Sequence, residues 1–402
     1  MRVAGIVSEF NPFHNGHRYL IDRAGASGAT HIAAVMSGSF VQRGEAAFAD
    51  KFLRAQAAVR GGVDLVVDLP VPWSLGGAQT FARGGVGLLA ALGCDMLAFG
   101  CETADLPLLE KTAALLKNED IGNAAANAMR EGMTYPAALR QSLFDAGAED
   151  SAALLDHPNN VLAVEYLKAL GDQDVSMTPF AVQRIGAGHD APLTDDPVQS
   201  AAAIRALPDL SFAAPLIPPE VYRVFSENPG RLLSQTHYET AVLTALRLLP
   251  EEAYDDFVDD RSGLCDRLRA AVRTASSLDD LYQTAKTKSV TLSKVRRAVM
   301  QLFLQIPVGA AEGTPPFLRV LAANERGLEL LSDSKITLPV VTKYSEVAAL
   351  DESCRSLYAL QCRASDLYAL CAKEKRACGT EQTSSIQIIR SAAQSQPRPS
   401  RP

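Results

Sequence analysis

The stretch Gly5-Ile6-Val7-Ser8-Glu9-Phe10-Asn11-Pro12-Phe13-His14-Asn15-Gly16-His17 decides the fold. Arg2 to Phe10 reads as a short apolar strand that ends in polar residues. Gly16 to Ala26 has helical spacing, with Tyr19, Leu20 and Arg23 on neighbouring turns. A strand running through a glycine-bearing loop into a helix is the first turn of an open α/β sheet, where such sheets bind ligands.

Working outward, strands and helices alternate. His31 to Met36 and Asp64 to Pro70 read as strands, as does Asp95 to Phe99, while Asp50 to Arg60 and Gln79 to Leu92 read as helices. Near-continuous apolar strands separated by helices indicate a parallel sheet covered on both faces, joined by right-handed crossovers. The expectation is a doubly wound, Rossmann-like α/β domain. Ala104 to Ala146 and Asn160 to Leu170 add helices, and Ser176 to Arg184 is the expected last strand, followed by a flexible Gly186-Ala187-Gly188. Gln199 to Leu207 is a short helix. From about Ser211 to Ile306 the pattern is mostly helical, with short strands at Phe317 to Leu321 and Leu338 to Thr342. These shifts divide the chain into residues 1–207, a nucleotide-binding domain, and residues 208–378, a mainly helical region. Residues 379–402, rich in Ser, Gln, Arg and Pro, read as a disordered tail.

The loop after the first strand holds neither a Walker A pattern nor a GxGxxG fingerprint. It carries instead His14 and His17 around Gly16. A helix starting near Gly16 turns free N–H groups and its positive dipole end toward the loop, and Gly16 leaves room for a phosphate to approach the backbone. Two imidazoles one turn apart can both donate to α-phosphate oxygens as charge builds. Removing one preorganised donor of this kind costs on the order of 10²–10³ in rate. A two-histidine metal site fits poorly, because no carboxylate stands at ligand spacing and Glu9 is the nearest acid.

Composition narrows the classes. The 402 residues are 47% hydrophobic and 21% charged, ordinary for a globular chain. No apolar run spans a bilayer and the N-terminus does not read as a signal peptide, so a cytoplasmic protein is expected. Seven scattered cysteines without a CxxC pair point to free thiols rather than a disulfide or zinc framework. The net charge of −7 requires any nucleic acid to be held by a local basic patch. Thr284 to Arg297 supplies one, with Lys286, Lys288, Lys294, Arg296, Arg297 and no acid. Lys294 and Arg297 share a helix face. A solvated helix face is the plainer reading of that run.

The strand plus HxGH resembles the HIGH nucleotidyltransferase superfamily. The longer loop, together with Met36-Ser37-Gly38-Ser39-Phe40-Val41-Gln42-Arg43-Gly44-Glu45, Asp64 to Pro70, Phe99 to Glu102 and Pro158-Asn159-Asn160, is similar to the bacterial tRNA(Met) cytidine acetate ligases. The resemblance extends through Lys286 to Arg297 and Arg319-Val320-Leu321, up to about Tyr368. It implies an ATP-dependent ligase that converts acetate to acetyl-adenylate, releasing pyrophosphate. The acetyl group then passes to N4 of the wobble cytidine of elongator tRNA(Met), giving N4-acetylcytidine.

By position, the resemblance implies ATP binding at Val7, Ser8, Glu9, Phe10, Asn11, Pro12, Phe13, His14, Asn15, Gly16, His17, Arg18, Tyr19 and Leu20, completed by Gly100, Asn160 and Arg184. His14 and His17 are the catalytic pair. Mg2+ is expected with ATP, held by no protein metal site, and no stable protein partner is implied. Ser37, Gly38 and Gln42 could line the acid pocket. The chain departs from the family pattern at Ser39 and Cys101, and two hydroxyls expected near Ser200 are replaced by alanines, which leaves Arg205 as either a phosphate ligand or a solvated helix residue. A nucleotidyltransferase acting on a small molecule without tRNA is the alternative, and an RNA-binding protein with a purely structural nucleotide site is a third reading.

Overall fold

The runs Val3–Ser8, His31–Ser37, Leu65–Leu69 and Met96–Cys101 are apolar almost without interruption, so both faces of any sheet they form must be covered. A computed structural model, which describes residues 1–186, 198–259, 262–333 and 335–390, bears this out. Its strands are β1 (Val3–Ser8), β2 (His31–Ser37), β3 (Phe40–Val41), β4 (Glu45–Ala46), β5 (Leu65–Leu69), β6 (Met96–Cys101), β7 (Thr178–Gln183), β8 (Leu318–Ala323), β9 (Val340–Val341) and β10 (Gln387–Ile388). The main sheet has the order β10-β8-β5-β2-β1-β6-β7, with β9 on β8. β1 is parallel to β2 and β6, β2 to β5, and β6 to β7. The α/β sheet is therefore mostly parallel. The winding reverses at β1, because β2 and β5 lie on one side of it and β6 and β7 on the other. That is the switch point at which open sheets leave a crevice beyond their carboxyl ends.

Strand alternation sorts the core into two layers. Val3, Ala33, Val35, Leu65, Val67, Leu97 and Phe99 pack against the helices Ala78–Ala91 and Pro158–Asp172. Ala4, Ile6, Ile32, Ala34, Met36 and Val66 pack against Asn15–Ala26 and Lys51–Arg60. A third core is helical, built from Gln235–Leu248, Leu264–Thr274, Leu278–Ala285, Leu292–Leu304 and Glu352–Cys371. It also takes in Phe40, Ala46, Val71 and Leu75. Packing thus runs without a break across residue 207.

Three features differ from the sequence reading. β8, the strand expected at Phe317 to Leu321, is not separate from the first domain: it pairs antiparallel with β5 and extends the sheet. Residues 40–46, read as loop, form the β3–β4 hairpin. The expected disordered tail is structured where it is described: Thr380–Thr383 is helical and β10 pairs with β8. Residues 391–402 and Ala187-Gly188 lie outside the described residues.

The polar composition after 378 misleads because Glu381 is a buried counterion. It is fully buried and ion-pairs with Lys51 and Arg319, both also buried, and Lys51 pairs in turn with Asp68. Burial alone would raise the Glu381 carboxyl; Lys51 and then Arg319 overcome it and hold it below its usual range. Ser365 donates to Glu381 at 2.8 Å. All seven cysteines are free, and among the described residues no helix is long and apolar enough to cross a membrane.

Candidate functional site

The site is built on the N-terminus of Asn15–Ala26. His14 is the N-cap, and its Nδ1 accepts from Gly16 N at 3.1 Å, while His17 Nδ1 accepts from His14 N at 3.1 Å. Two histidines thus form a reciprocal capping box, the arrangement usually made by Ser/Thr and Glu. The hydrogen-bond pattern assigns the tautomers: with each Nδ1 accepting, the proton of the neutral ring lies on Nε2. The rings lie 3.8 Å apart at an interplanar angle of 32°. Phe10 meets His17 edge-on at 5.0 Å and Phe13 lies 5.4 Å from it, so His17 is held on its ring faces and edges. Phe10 itself sits at φ +44°, a conformation that costs a bulky residue on the order of 1–3 kcal/mol and is held by this packing.

Burial, then the neighbouring His14 and Arg184, push the His17 pKa well below 6.5. His17 is therefore neutral at physiological pH. A Cβ at Gly16 would come within 2.9 Å of His14 Cε1, so glycine here makes room for the ring. The helix N–H groups, expected to be free for phosphate, are already engaged: Asn15 N donates to Leu216 O, Gly16 N to His14 Nδ1, and His17 N to His14 O. The imidazoles, not the backbone, are the donors this turn presents.

Two arginines fix the surrounding loops. Arg54 is fully buried and donates to the carbonyls of Ala49, Glu9, Ser37 and Gly38, tying the carboxyl ends of β1 and β2 together. Arg205 donates to Asn11 O at 2.8 Å and ion-pairs with Glu45 at 2.7 Å, so it is not a solvated helix residue. Glu9 accepts from Gln42 N at 2.9 Å; burial raises its carboxyl against the opposing pull of Arg205. Asn11 Oδ1 accepts from Phe48 N, while its buried Nδ2 has no hydrogen-bond partner among the described residues.

A cleft opens over the carboxyl ends of β1, β6 and β7. Of the expected ATP-site residues, Val7, Ser8, Glu9, Phe10, Asn11, His14, Gly16, His17, Tyr19, Leu20, Gly100 and Arg184 line it. Pro12 and Phe13 are buried beneath it. Asn15 turns away to donate to Pro215 O, and Arg18 pairs with Asp22 and Glu220. Asn160 is not brought to the cleft. It is fully buried, bonding Thr103 through its side chain and Glu102 through its N–H; the adjacent Asn159 lines the cleft instead. Of the suggested acid-pocket residues, Gln42 lines the cleft and Ser37 and Gly38 do not.

Sequence reading did not single out Arg43, Phe81, Phe99, Leu162, Tyr166, Ile185 or Val198, which also line the cleft. Asn159, Arg43 and Phe99 carried a signal, standing inside quoted motifs. Ser200 lines the cleft and caps its own short helix, accepting from Ala203 N. The cleft therefore joins an aromatic and aliphatic wall to a group of imidazole, guanidinium and amide donors. Among the described residues there is no cluster of three or more His, Cys, Asp or Glu suited to a metal ion.

The basic run divides. Lys286, Lys288 and Lys294 are exposed. Arg296 lies over the Tyr282 ring at 5.4 Å, and burial lowers the Arg297 pKa. Both arginines back onto the β3–β4 turn, where a Cβ at Gly44 would collide with their backbone. They are built into the fold, and the three lysines form the exposed part of the patch.

Residues 1–383 match the family described as HIGH Nucleotidyl Transferase. The chain is 33% identical over 412 residues to the tRNA(Met) cytidine acetate ligase of Alkaliphilus metalliredigens, covering 95% of this chain and 97% of that one. It is 36% identical over 360 residues to the enzyme of the same name from Syntrophotalea carbinolica, covering 86% of each. The crystal structure of apo Thermotoga maritima TmcAL superposes with a TM-score of 0.91 at 27% identity, covering 97% of this chain and all of that one. A second form of that protein, bound with alpha-thio ATP, gives 0.90.

Proposed function

Since the chain belongs to the HIGH nucleotidyltransferases and, within them, to the tRNA(Met) cytidine acetate ligases, we propose that it activates acetate with ATP and acylates the wobble cytidine of elongator tRNA(Met) at N4. The observation that carries this reading is the pair of Nε2–H donors, locked by the His14–His17 capping box, opening onto the crevice at β1.

In the first step a carboxylate oxygen of acetate bonds to the α-phosphorus and the bond to pyrophosphate breaks. His14 and His17 donate to the α-phosphate oxygens as negative charge concentrates there. Asn11 Nδ2, which lacks a partner among the described residues, and Arg184 are further donors to the phosphates. The aromatic wall of Phe99 and Tyr166 suits the adenine. Asn160 acts by holding the Glu102–Thr103 turn beside Gly100. Mg2+ accompanies the triphosphate and shields its charge, as small hard cations do on nucleotide substrates. In the second step the exocyclic nitrogen forms a bond to the acyl carbon and gives up one proton to solvent, and AMP leaves with the electron pair of the broken anhydride bond. Lys286, Lys288 and Lys294 hold tRNA phosphates, and an enzyme with this substrate would work in the cytoplasm.

The test is mass analysis of nucleosides from tRNA(Met) incubated with the protein, ATP and isotopically labelled acetate. The expected product is cytidine heavier by one labelled acetyl group at the wobble position. Acetate-dependent pyrophosphate release with no labelled nucleoside would favour adenylyl transfer to a small molecule.

A further inference from the structure

We infer that a second cavity, separated from the histidine cleft by the Arg205–Glu45 ion pair, receives the base of the acceptor nucleotide; this rests on the acyl-transfer reading above. Arg205 lines both cavities and Glu45 lines the second. The histidine cleft measures about 200 Å³ and the second cavity about 570 Å³. Clefts that bury one drug-sized ligand usually span roughly 300–1,000 Å³. The second cavity therefore lies within that range and has room for a base.

The chemistry of the second cavity fits an amine-bearing, planar ring. Tyr282 lines one wall with the Arg296 guanidinium over its ring, and Arg296 Nε is buried without an acceptor among the described residues. An aromatic face backed by a guanidinium is a stacking platform for a nucleobase. Glu45 and Asp279 supply carboxylate acceptors, the groups that pair with a cytosine exocyclic amine. The lining sets the carboxylates of Glu45, Asp209, Glu239 and Asp279 against the cations Arg205, Arg296 and Lys373, so it is not a dedicated phosphate site. The helix Leu278–Ala285 that carries Tyr282 and Asp279 ends at Lys286, the first of the exposed lysines. RNA phosphates on those lysines would place an unstacked loop base at the cavity mouth, which is how single-stranded bases are read.

The test fills the cavity without touching the cleft. Gln235 lines the cavity, is exposed, and stands in the first turn of Gln235–Leu248. In Gln235→Trp, acetate-dependent ATP–pyrophosphate exchange should persist, which also reports a folded protein. Transfer of labelled acetate to tRNA(Met) should fall by roughly 5- to 150-fold in kcat/KM, the equivalent of one lost base stack, through a higher KM for tRNA. Wild-type transfer by Gln235→Trp would overturn the cavity assignment alone. No transfer by the unaltered protein would overturn the acyl-transfer reading and the cavity assignment with it.

Discussion

His17 does two jobs with its two ring nitrogens, and two substitutions separate them. Nδ1 accepts from His14 N at 3.1 Å, closing the helix cap, and Nε2 carries the proton that the proposed mechanism aims at the phosphates. In His17→Asn the short side chain sets an oxygen where Nδ1 stood, keeping the cap but removing the outer donor. In His17→Gln the longer amide reaches the position of Nε2 and leaves the cap unmade. Losing a cap costs about 0.5–2 kcal/mol. Unfolding entropy of about 2.1 cal/mol/K per residue over 402 residues gives about 0.8 kcal/mol/K, so the expected fall in Tm for His17→Gln is about 1–2 °C. His17→Asn should melt close to the parent yet lose on the order of 10²–10³ in acetate-dependent ATP–pyrophosphate exchange.

The pH profile checks the same reasoning. Because burial holds the His17 pKa well below 6.5, the ring should stay neutral and exchange should show no His17 inflection near 6.5. The sign for stability follows: above 6.5 neither folded nor unfolded His17 is protonated, and below it only the unfolded chain gains the proton, so this residue destabilises the fold as pH falls. Full exchange activity in His17→Asn, or its loss only in His17→Gln, would refute the division of labour.

Two further outcomes are expected. Glu381→Ala should leave Arg319 as an uncompensated buried charge and Lys51 with Asp68 alone, at a cost of about 3–5 kcal/mol, lowering Tm by about 4–6 °C on the same conversion; an unchanged melting midpoint would remove residue 381 from the core. Replacing Lys286, Lys288 and Lys294 together by glutamine should reduce the salt slope of tRNA binding by about 2–3 while exchange continues, and an unaltered slope would detach the patch from RNA.

What the sequence disclosed was local. The β1 loop and its helix lie within a dozen residues, so period and glycine placement reveal them, and the same holds for β2, β5 and β6. The histidine pair stood out in the sequence, but not as its own cap, because an imidazole in a capping box lacks the usual Ser/Thr and Glu signature. Arg54 was silent because its partners are four backbone carbonyls from three separate segments, which leave no side-chain pattern. Arg205 was ambiguous for the same reason, since Asn11 O and Glu45 are brought to it only by tertiary folding. Asn159 and Asn160 show how fine the limit is, since neighbouring residues of one helix turn put one amide in the cleft and the other in the core.

Residues near the end of the chain complete structure begun near its start. Gln387 bonds Phe52 across 335 positions, and β8 arrives on β5 only after some 250 intervening residues have been made. At translation rates of roughly 5–20 residues per second, about 12–50 s pass between β5 and β8, and about 20–70 s between Phe52 and Gln387. Until β8 is made the nascent chain carries an open strand edge at β5, and until Glu381 is made a lysine without its glutamate. Such an edge is a template for pairing with another chain, so the ribosome-bound intermediate is the stage at which this protein is most exposed to aggregation.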